Sequence, residues 1–436
     1  MKAKIISYQQ PNFSDEISKL VKNNGEIDHN IEKIVAEIIA LVRTNGDQSI
    51  IDLCNKFDGA DFHNPQDLLV SEQELLQARE NLDKETIAAL ELSYSRILEY
   101  HKKQLPQDFS FEDSIGNSLG NIWKSIEKIA IYVPGGTASY SSSVLMNAVP
   151  AIAAGCKDIV MTTPSSKGKI DDAVLVAAQI CGITTIYKTG GAAAIAGLAF
   201  GTNIIAKVDK IVGPGNSFVA LAKKQLFGIV GIDMIAGPTD ILIIADKNNN
   251  PDWVAADLLS QLEHGTDSSS ILISDDEKFA DLVNESLQKI APTLSRIKII
   301  EKSIEKSALI VVEDLIQDGS KIANQIAPEH LEIMTSHPKE ILNRIKNAGA
   351  VFLGKYSPEA IGDYIAGPSH TLPTTGTSRF SSGLSVFDFL KRMSVIDCSK
   401  EGFLGLQKDA ALIAKSEGFS AHELSLTIRS YAKSQL

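Results

Sequence analysis

An α/β fold made of two parallel-sheet units in tandem is what this sequence predicts, and three observations carry the prediction. Short apolar runs of strand type alternate with helical stretches from about residue 127 onward. Glycine-rich turns follow several runs: Pro134-Gly135-Gly136, Gly190-Gly191, Gly213-Pro214-Gly215-Asn216 and Ala236-Gly237-Pro238. The 436 residues, 44% hydrophobic and 22% charged, have a globular composition and exceed what one core serves, so two or three domains are expected.

The first 130 residues read mostly helical. Residues 29–59 carry apolar side chains at three-to-four spacing with Gly59 as a stop, and 71–82 and 83–105 repeat the pattern up to Pro106. These helices would lay apolar stripes against a later sheet. Strand and helix then alternate: KIAIYVPGG, a helix from Ser143, KDIVMTTPSS, a helix from Asp171, TTIYKTGG, a helix from Ala192, KVDKIVGPGN and a helix from Ser217. A second series runs through the strands DILIIAD, SSILISDD, IKIIEK, ALIVVED and AGAVFLG, with helices at 252–264, near 276–290 and near 313–326. Such βαβ alternation gives parallel sheets covered on both faces, hence two Rossmann-like units and a duplication in outline. Residues 367–383, rich in Ser, Thr, Gly and Pro, read as an extended loop, and a tail with two terminal helices follows. That tail is too small to bury a core alone and must pack on the main body or on a second copy of the chain.

Composition excludes some functions. A net charge of −12 leaves no basic face for nucleic acid. No apolar run reaches eighteen residues, and the start lacks the apolar core of a signal peptide, so a cytoplasmic address is expected. Cys54, Cys156, Cys181 and Cys398 form no CxxC pair and read as reduced, mostly buried thiols. Cys156 and Cys181 could be offered as aldehyde-trapping nucleophiles, but neither has a nearby His or Asn in sequence.

Chemistry concentrates in four polar residues set among small and apolar ones: Gln261 and His264 in QLEHG, Asp363 in GDYIAG and His422 in SAHELS. Nitrogen and oxygen donors of this kind suit Zn²⁺ without any cysteine. Gln261 and His264, three apart at a helix end, share one face. Asp363 could equally be a helix-terminal surface acid, and His422 an exposed imidazole. Glu329-His330, before the apolar LEIM strand, offers a proton-transfer pair or a turn cap. His370 borders the same region; His29, His63, His101 and His337 read as surface. The glycine turns at strand ends suit a nucleotide, although neither GxGxxG nor a Walker A pattern is present. On residues alone the chain reads as a metal-dependent α/β enzyme.

The segments IYVPGGTASYSSSVLMNAVPA, KVDKIVGPGNSFVALAK, QLEHG, IAPEHLE, NAGAVFLG, GDYIAGPSHTLPT and SAHELS together resemble histidinol dehydrogenase, in order and spacing, from about residue 30 to 430. The resemblance implies a zinc-dependent, NAD-linked oxidation of L-histidinol to L-histidine through L-histidinaldehyde. By it, Gln261, His264 and Asp363 bind zinc in one subunit of an intertwined homodimer, and His422 reaches in from the other. His330 and Glu329 correspond to the proton acceptors. Thr239 and Glu417 fall on substrate positions together with Gln261, His264, His330, Asp363 and His422, and Tyr132, Ala193 and Asn216 fall on cofactor positions. The domains implied are an arm (1–28), a first α/β domain (29–131 with 239–382) carrying most of the metal site, an NAD-binding α/β domain (132–238) and a helical tail (383–436) completing the partner's site. Ala193 stands where the family usually has Gln, and Thr239-Asp240 where Ser-Glu is usual. Other readings are a sister dehydrogenase of another small alcohol such as a sulfonated diol, which would have little use for Glu417; a zinc hydrolase, separated by nicotinamide dependence; and a non-catalytic binding protein.

Overall fold

The structure is a computed structural model that describes residues 2–22, 29–135 and 139–430; Gly136 of the first glycine turn lies outside them. It comprises two compact units, one of residues 1–104 with 127–389, the other of 105–126 with 390–436. Strands in chain order are β1 (Lys4–Ser7), β2 (Phe109–Glu112), β3 (Ser118–Ser125), β4 (Lys128–Tyr132), β5 (Asp158–Thr162), β6 (Ile186–Tyr187) and β7 (Lys210–Val212). There follow β8 (Gly231–Ile232), β9 (Asp240–Ala245), β10 (Ser269–Ser274), β11 (Ala308–Val311), β12 (His330–Met334), β13 (Ala350–Leu353) and β14 (Leu390–Asp397).

The larger unit holds two parallel sheets, β6-β5-β4-β7-β8 and β1-β11-β10-β9-β12-β13. Leaving out β1, each sheet places its own five strands in the order third, second, first, fourth, fifth. That is the dinucleotide-binding order, repeated, so the tandem α/β prediction matches the architecture. Alternation along β9 shows why the sheet is covered twice. Ile241 and Ile243 face the helices Pro251–Leu262 and Glu277–Ile290, while Leu242 and Ile244 face Phe13–Lys22 and Ser320–Ile326. Each such fully buried side chain contributes about 1.5–3 kcal/mol of transfer free energy.

Within the larger unit, four expectations are corrected. Residues 29–57 do not share a core with 239–382; Val35, Val42, Ile50 and Ile51 pack with Ile195, Leu198 and Val219 on the five-stranded sheet. The arm is not free of the sheets, since β1 pairs with β11 in parallel. IKIIEK lies in the helix Ile297–Ser303, where Ile300 is buried against the core beneath helix Pro251–Leu262. His101 is only 1% exposed, with Nδ1 2.7 Å from the Gln104 amide oxygen, so it is no surface histidine.

The smaller unit is not purely helical. It is an antiparallel sheet, β14-β3-β2, with the helices Lys400–Ser416 and Ser420–Thr427. The chain from 105 to 126, expected as part of a helical first domain, supplies two of the three strands. Ser399 starts the longer helix by accepting from Gly402 N–H at 2.9 Å. Ala411 is the one apolar side chain of this unit that is buried among its described residues, whereas Phe109, Phe111, Ile396, Leu412, Ile413, Phe419 and Leu424 are exposed.

Candidate active site

The two sheets of the larger unit contribute opposite edges to one cavity of ≈ 1340 Å³. From the five-stranded sheet come the carboxyl ends of β4 and β7, where successive connections leave in opposite directions and a crevice opens. The six-stranded sheet presents its amino edge, with Thr239 just before β9 and Glu329-His330 at the start of β12. Gly213 lets the end of β7 lie close against the end of β4: at φ 115° its Cβ would collide with the Tyr132 carbonyl oxygen, which only glycine avoids.

Hydrogen bonds fix the protonation geometry of the pair. His330 is 4% exposed, and its Nδ1 lies 3.2 Å from the Asp240 carbonyl oxygen, which can only accept. The proton therefore sits on Nδ1 and the lone pair on Nε2, which is buried without a partner. Burial, with His264 and His370 nearby, depresses its pKa to about 3, so the ring is neutral. Glu329 accepts from the Thr239 hydroxyl and from Asp240 N–H at 3.2 Å, and the Asp240 carboxylate accepts Glu329 N–H at 2.9 Å. Burial and the Asp240 charge hold the Glu329 carboxyl well above its ordinary range, and burial lifts Asp240 to about 6. Gly349 lets β13 lie against this turn, since a Cβ there would come within 2.6 Å of the Glu329 carbonyl oxygen.

The donor atoms gather beside it. Helix Pro251–Leu262, capped by Asn250, carries Gln261 in its last turn and hands His264 to the cavity mouth. Helix Glu359–Tyr364 delivers Glu359 and Asp363 one turn apart. Ligand atoms of His264, Glu359 and Asp363 lie within 4.8 Å of one another, and His330 Nε2 is 3.8 Å from Glu359 and 4.0 Å from Asp363. Gln261 Nε2 donates to Thr239 Oγ1 at 2.6 Å, leaving Oε1 buried without a partner. Burial pushes Asp363 to about 6 and, with the Asp363 charge, Glu359 to about 9. Burial lowers His264 to about 4, with His370 and Arg296 adding to it, although its 39% open side chain softens that penalty. Neutral imidazoles, an orphaned amide oxygen and crowded carboxyls fit a divalent cation, which would relieve all three strains at once.

Comparisons with known proteins fit this geometry. The family described as "Histidinol dehydrogenase" matches residues 21–430. Histidinol dehydrogenase of Nitrosomonas europaea is 45% identical over 430 residues, covering 98% of this chain and 99% of its own. That of Ruegeria pomeroyi is 47% identical over 422 residues, 97% of each. The crystal structure of histidinol dehydrogenase from Elizabethkingia anophelis superposes with a TM-score of 0.93 at 34% identity over 100% of both chains. The chain belongs to the histidinol dehydrogenase family.

Within this member of the histidinol dehydrogenase family, Thr239, His264, Glu329, His330 and Asp363 share the cavity, and His370 joins them with Nδ1 3.0 Å from the Asp363 carbonyl oxygen. Gln261 stands behind Thr239, linked by the hydrogen bond above. Of the positions expected to meet a cofactor, Tyr132 is buried and its hydroxyl accepts Gly191 N–H at 3.1 Å; Asn216 caps helix Ser217–Leu226; Ala193 lines the wall with an apolar side chain. Glu417 and His422 belong to the smaller unit, both exposed, with the His422 ring 5.2 Å from Phe419. Sequence reasoning missed Glu359, Glu332 and Asp257, an acidic series running inward from Asp363. Glu359 N–H donates to Glu332 at 2.6 Å, and Glu332 is held well above its usual range by burial and by Asp257. The signal was available, since Glu332 is an acid inside the otherwise apolar run Leu331–Met334. Of the thiols, two are poorly suited to attack an aldehyde: burial pushes Cys54 to about 11 and Cys181 to about 12.

Proposed function

We propose that this chain oxidises L-histidinol to L-histidine through the aldehyde, with zinc and NAD. The observation that carries the reading is the pairing of a lone-pair-bearing, partnerless His330 Nε2 with a donor cluster at a cavity that also has glycine-walled strand ends. Gln261, His264 and Asp363 would hold zinc, which when bound supplies a template for the imidazole and amine of the substrate. NAD supplies the hydride acceptor, and Tyr132, Asn216 and the Ala193 wall line its crevice.

The chain's own residues move the protons. His330 Nε2 takes the hydroxyl proton as hydride leaves the carbinol carbon, giving the aldehyde. Its Nδ1–H stays on the Asp240 carbonyl, so the ring cannot turn over between steps. Glu329, aimed by Thr239 and the Asp240 amide, takes a proton from the water that adds to the aldehyde. His330 takes the next hydroxyl proton as the second hydride leaves, and the carboxylate forms. One alcohol, one water and two NAD thus yield one carboxylate, two NADH and three protons. No thiol ester is needed.

We assign the smaller unit to a shared site in a homodimer, with His422 and Glu417 serving the partner's cavity. Its exposed apolar side chains and minimal core support a second copy as its cover. Among the described residues no helix is long and apolar enough to cross a membrane, and the four cysteines are free, which supports work in the cytoplasm. The test is NADH counted per histidinol consumed, with and without a chelator. Two per substrate, lost on chelation, is the expected result; none with histidinol overturns the assignment.

A further inference from the structure

The five-stranded sheet has the strand order of a dinucleotide-binding unit but lacks one of its working parts. In that unit an acidic side chain at the end of the second strand takes the ribose hydroxyls of the adenosine half. Here the second strand is β5, and it runs out into Thr162-Thr163-Pro164-Ser165-Ser166, with no acid. Yet a carboxylate stands beside that strand end. Asp58 closes the helix Asp47–Phe57, an element from outside the sheet, and its carbonyl oxygen accepts Lys167 N–H at 3.0 Å from the loop that follows β5. Asp58, Pro164, Ser165 and Ser166 line the same cavity as the glycine turns.

Three details separate Asp58 from an ordinary surface acid. Its carboxylate has no hydrogen-bond or ion-pair partner among the described residues, though burial lifts its pKa to about 6. Ser165 beside it is 4% exposed, with its hydroxyl also unpartnered. Ile34, Ile38, Leu53 and Phe57 extend the cavity wall next to it, and Phe57 is 67% exposed: a flat apolar surface of the kind an adenine ring covers.

We infer that Asp58 binds the adenosine ribose hydroxyls of the cofactor and sets its preference for NAD over NADP. The helix Asp47–Phe57 thereby supplies from outside the sheet the carboxylate that β5 does not carry. A 2′-phosphate would bring a second anion against an acid with no counter-ion, whereas a 2′-hydroxyl donates to it. This rests on the NAD-linked reading above, and the test is chosen to separate the two.

The probes are ADP-ribose and 2′-phospho-ADP-ribose, which carry no nicotinamide, titrated into the full chain by calorimetry. Wild type is expected to bind ADP-ribose the tighter by about tenfold or more, the usual effect of a charged hydrogen bond. In Asp58→Asn and Asp58→Ala that ratio should fall by about tenfold, because ADP-ribose weakens and the phosphorylated ligand gains. General damage to the fold would weaken both ligands alike and leave the ratio in place. An unchanged ratio in both variants overturns the inference, as does wild type binding neither ligand. A ratio that shifts in a protein giving no NADH from histidinol upholds the Asp58 role and overturns the histidinol assignment. Normal turnover with an unchanged ratio does the reverse.

Discussion

Replacing Thr239 with Val should weaken zinc binding although Thr239 touches no metal. The side chains are isosteric, so the change removes one hydroxyl and little volume. That hydroxyl accepts from Gln261 Nε2 at 2.6 Å and donates to Glu329. Gln261 is fully buried, so no water replaces the lost partner, and an orphaned buried amide costs about 1–3 kcal/mol. In the metal-free protein the amide can relieve this by turning over, which puts NH₂ where Oε1 stood and toward the acidic cluster. On the proposed ligation Oε1 must return to meet zinc, so the cost falls on the metal-bound state. At about 1.4 kcal/mol per factor of ten, zinc affinity should drop about ten- to a hundredfold. Competitive titration against a chromophoric chelator measures it, with Thr239→Ser as the control that keeps the hydroxyl and should stay within about threefold of wild type. Wild-type zinc affinity in Thr239→Val would refute the view that this hydrogen bond orients Gln261.

Glu329→Gln should halt the reaction at the aldehyde, lowering acid formation about 10²- to 10⁴-fold while a first NADH still forms; single-turnover absorbance reads it, and an unimpaired second NADH would remove Glu329 from the water step. His330→Asn should instead suppress the first NADH by a similar factor. Zinc should stabilise the protein increasingly as pH rises. Asp363, at about 6, and Glu359, at about 9, are raised by burial, so the stability they lend the metal-free fold is complete below their ordinary values of 3.8 and 4.5 and drains away as pH climbs through the raised ones. His330, lowered to about 3, works oppositely, and its contribution is lost as pH falls from 6.5. The melting-temperature gap between zinc-loaded and chelator-treated protein should therefore widen between about pH 5 and 8, and a flat gap contradicts the assigned burial effects. Finally, mixing His264→Ala with His422→Ala subunits should restore about a quarter of wild-type sites, because a heterodimer rebuilds one intact site of two; no recovery would mean each tail serves its own body.

The fold was legible where local pattern and tertiary demand agree. Apolar runs between glycine turns announce parallel strands buried on both faces, and β9 and β10 lie where the runs DILIIAD and SSILISDD put them. Legibility failed where the deciding partner is remote. β3 is set by β14 some 270 residues away, a pairing that no window around Ser118–Ser125 contains. IKIIEK has apolar residues compatible with both periods, and burial of Ile300 decides for helix. At the site, donors next to one another in sequence were readable, as in Gln261 with His264 and Glu329 with His330. Glu359 was passed over because its role comes from β12 packing Glu332 against its amide, a contact between segments 27 residues apart.

The two sheets share a strand order but not a role. If the two units were equivalent, each would offer a nucleotide crevice at the carboxyl end of its own switch point. In the six-stranded sheet that place is bridged and charged against it. Asp246 at the end of β9 accepts Ser336 N–H at 2.7 Å and the Ser336 hydroxyl at 2.9 Å, tying β9 to the segment after β12. Asp275, Glu313, Asp314 and Asp318 line the remaining hollow, an acidic surface that disfavours a pyrophosphate. The five-stranded sheet has Gly213, Pro214 and Gly215 at the equivalent edge instead, with no acid among them. The five-stranded sheet thus opens the crevice at its carboxyl edge, while the six-stranded sheet turns its amino edge, with Thr239, Glu329 and His330, toward the same cavity. On the proposed reaction, the proton-moving groups and the hydride acceptor would rest on separate sheets that line the same cavity, so the distance between them would depend on sheet packing and not on a mobile loop.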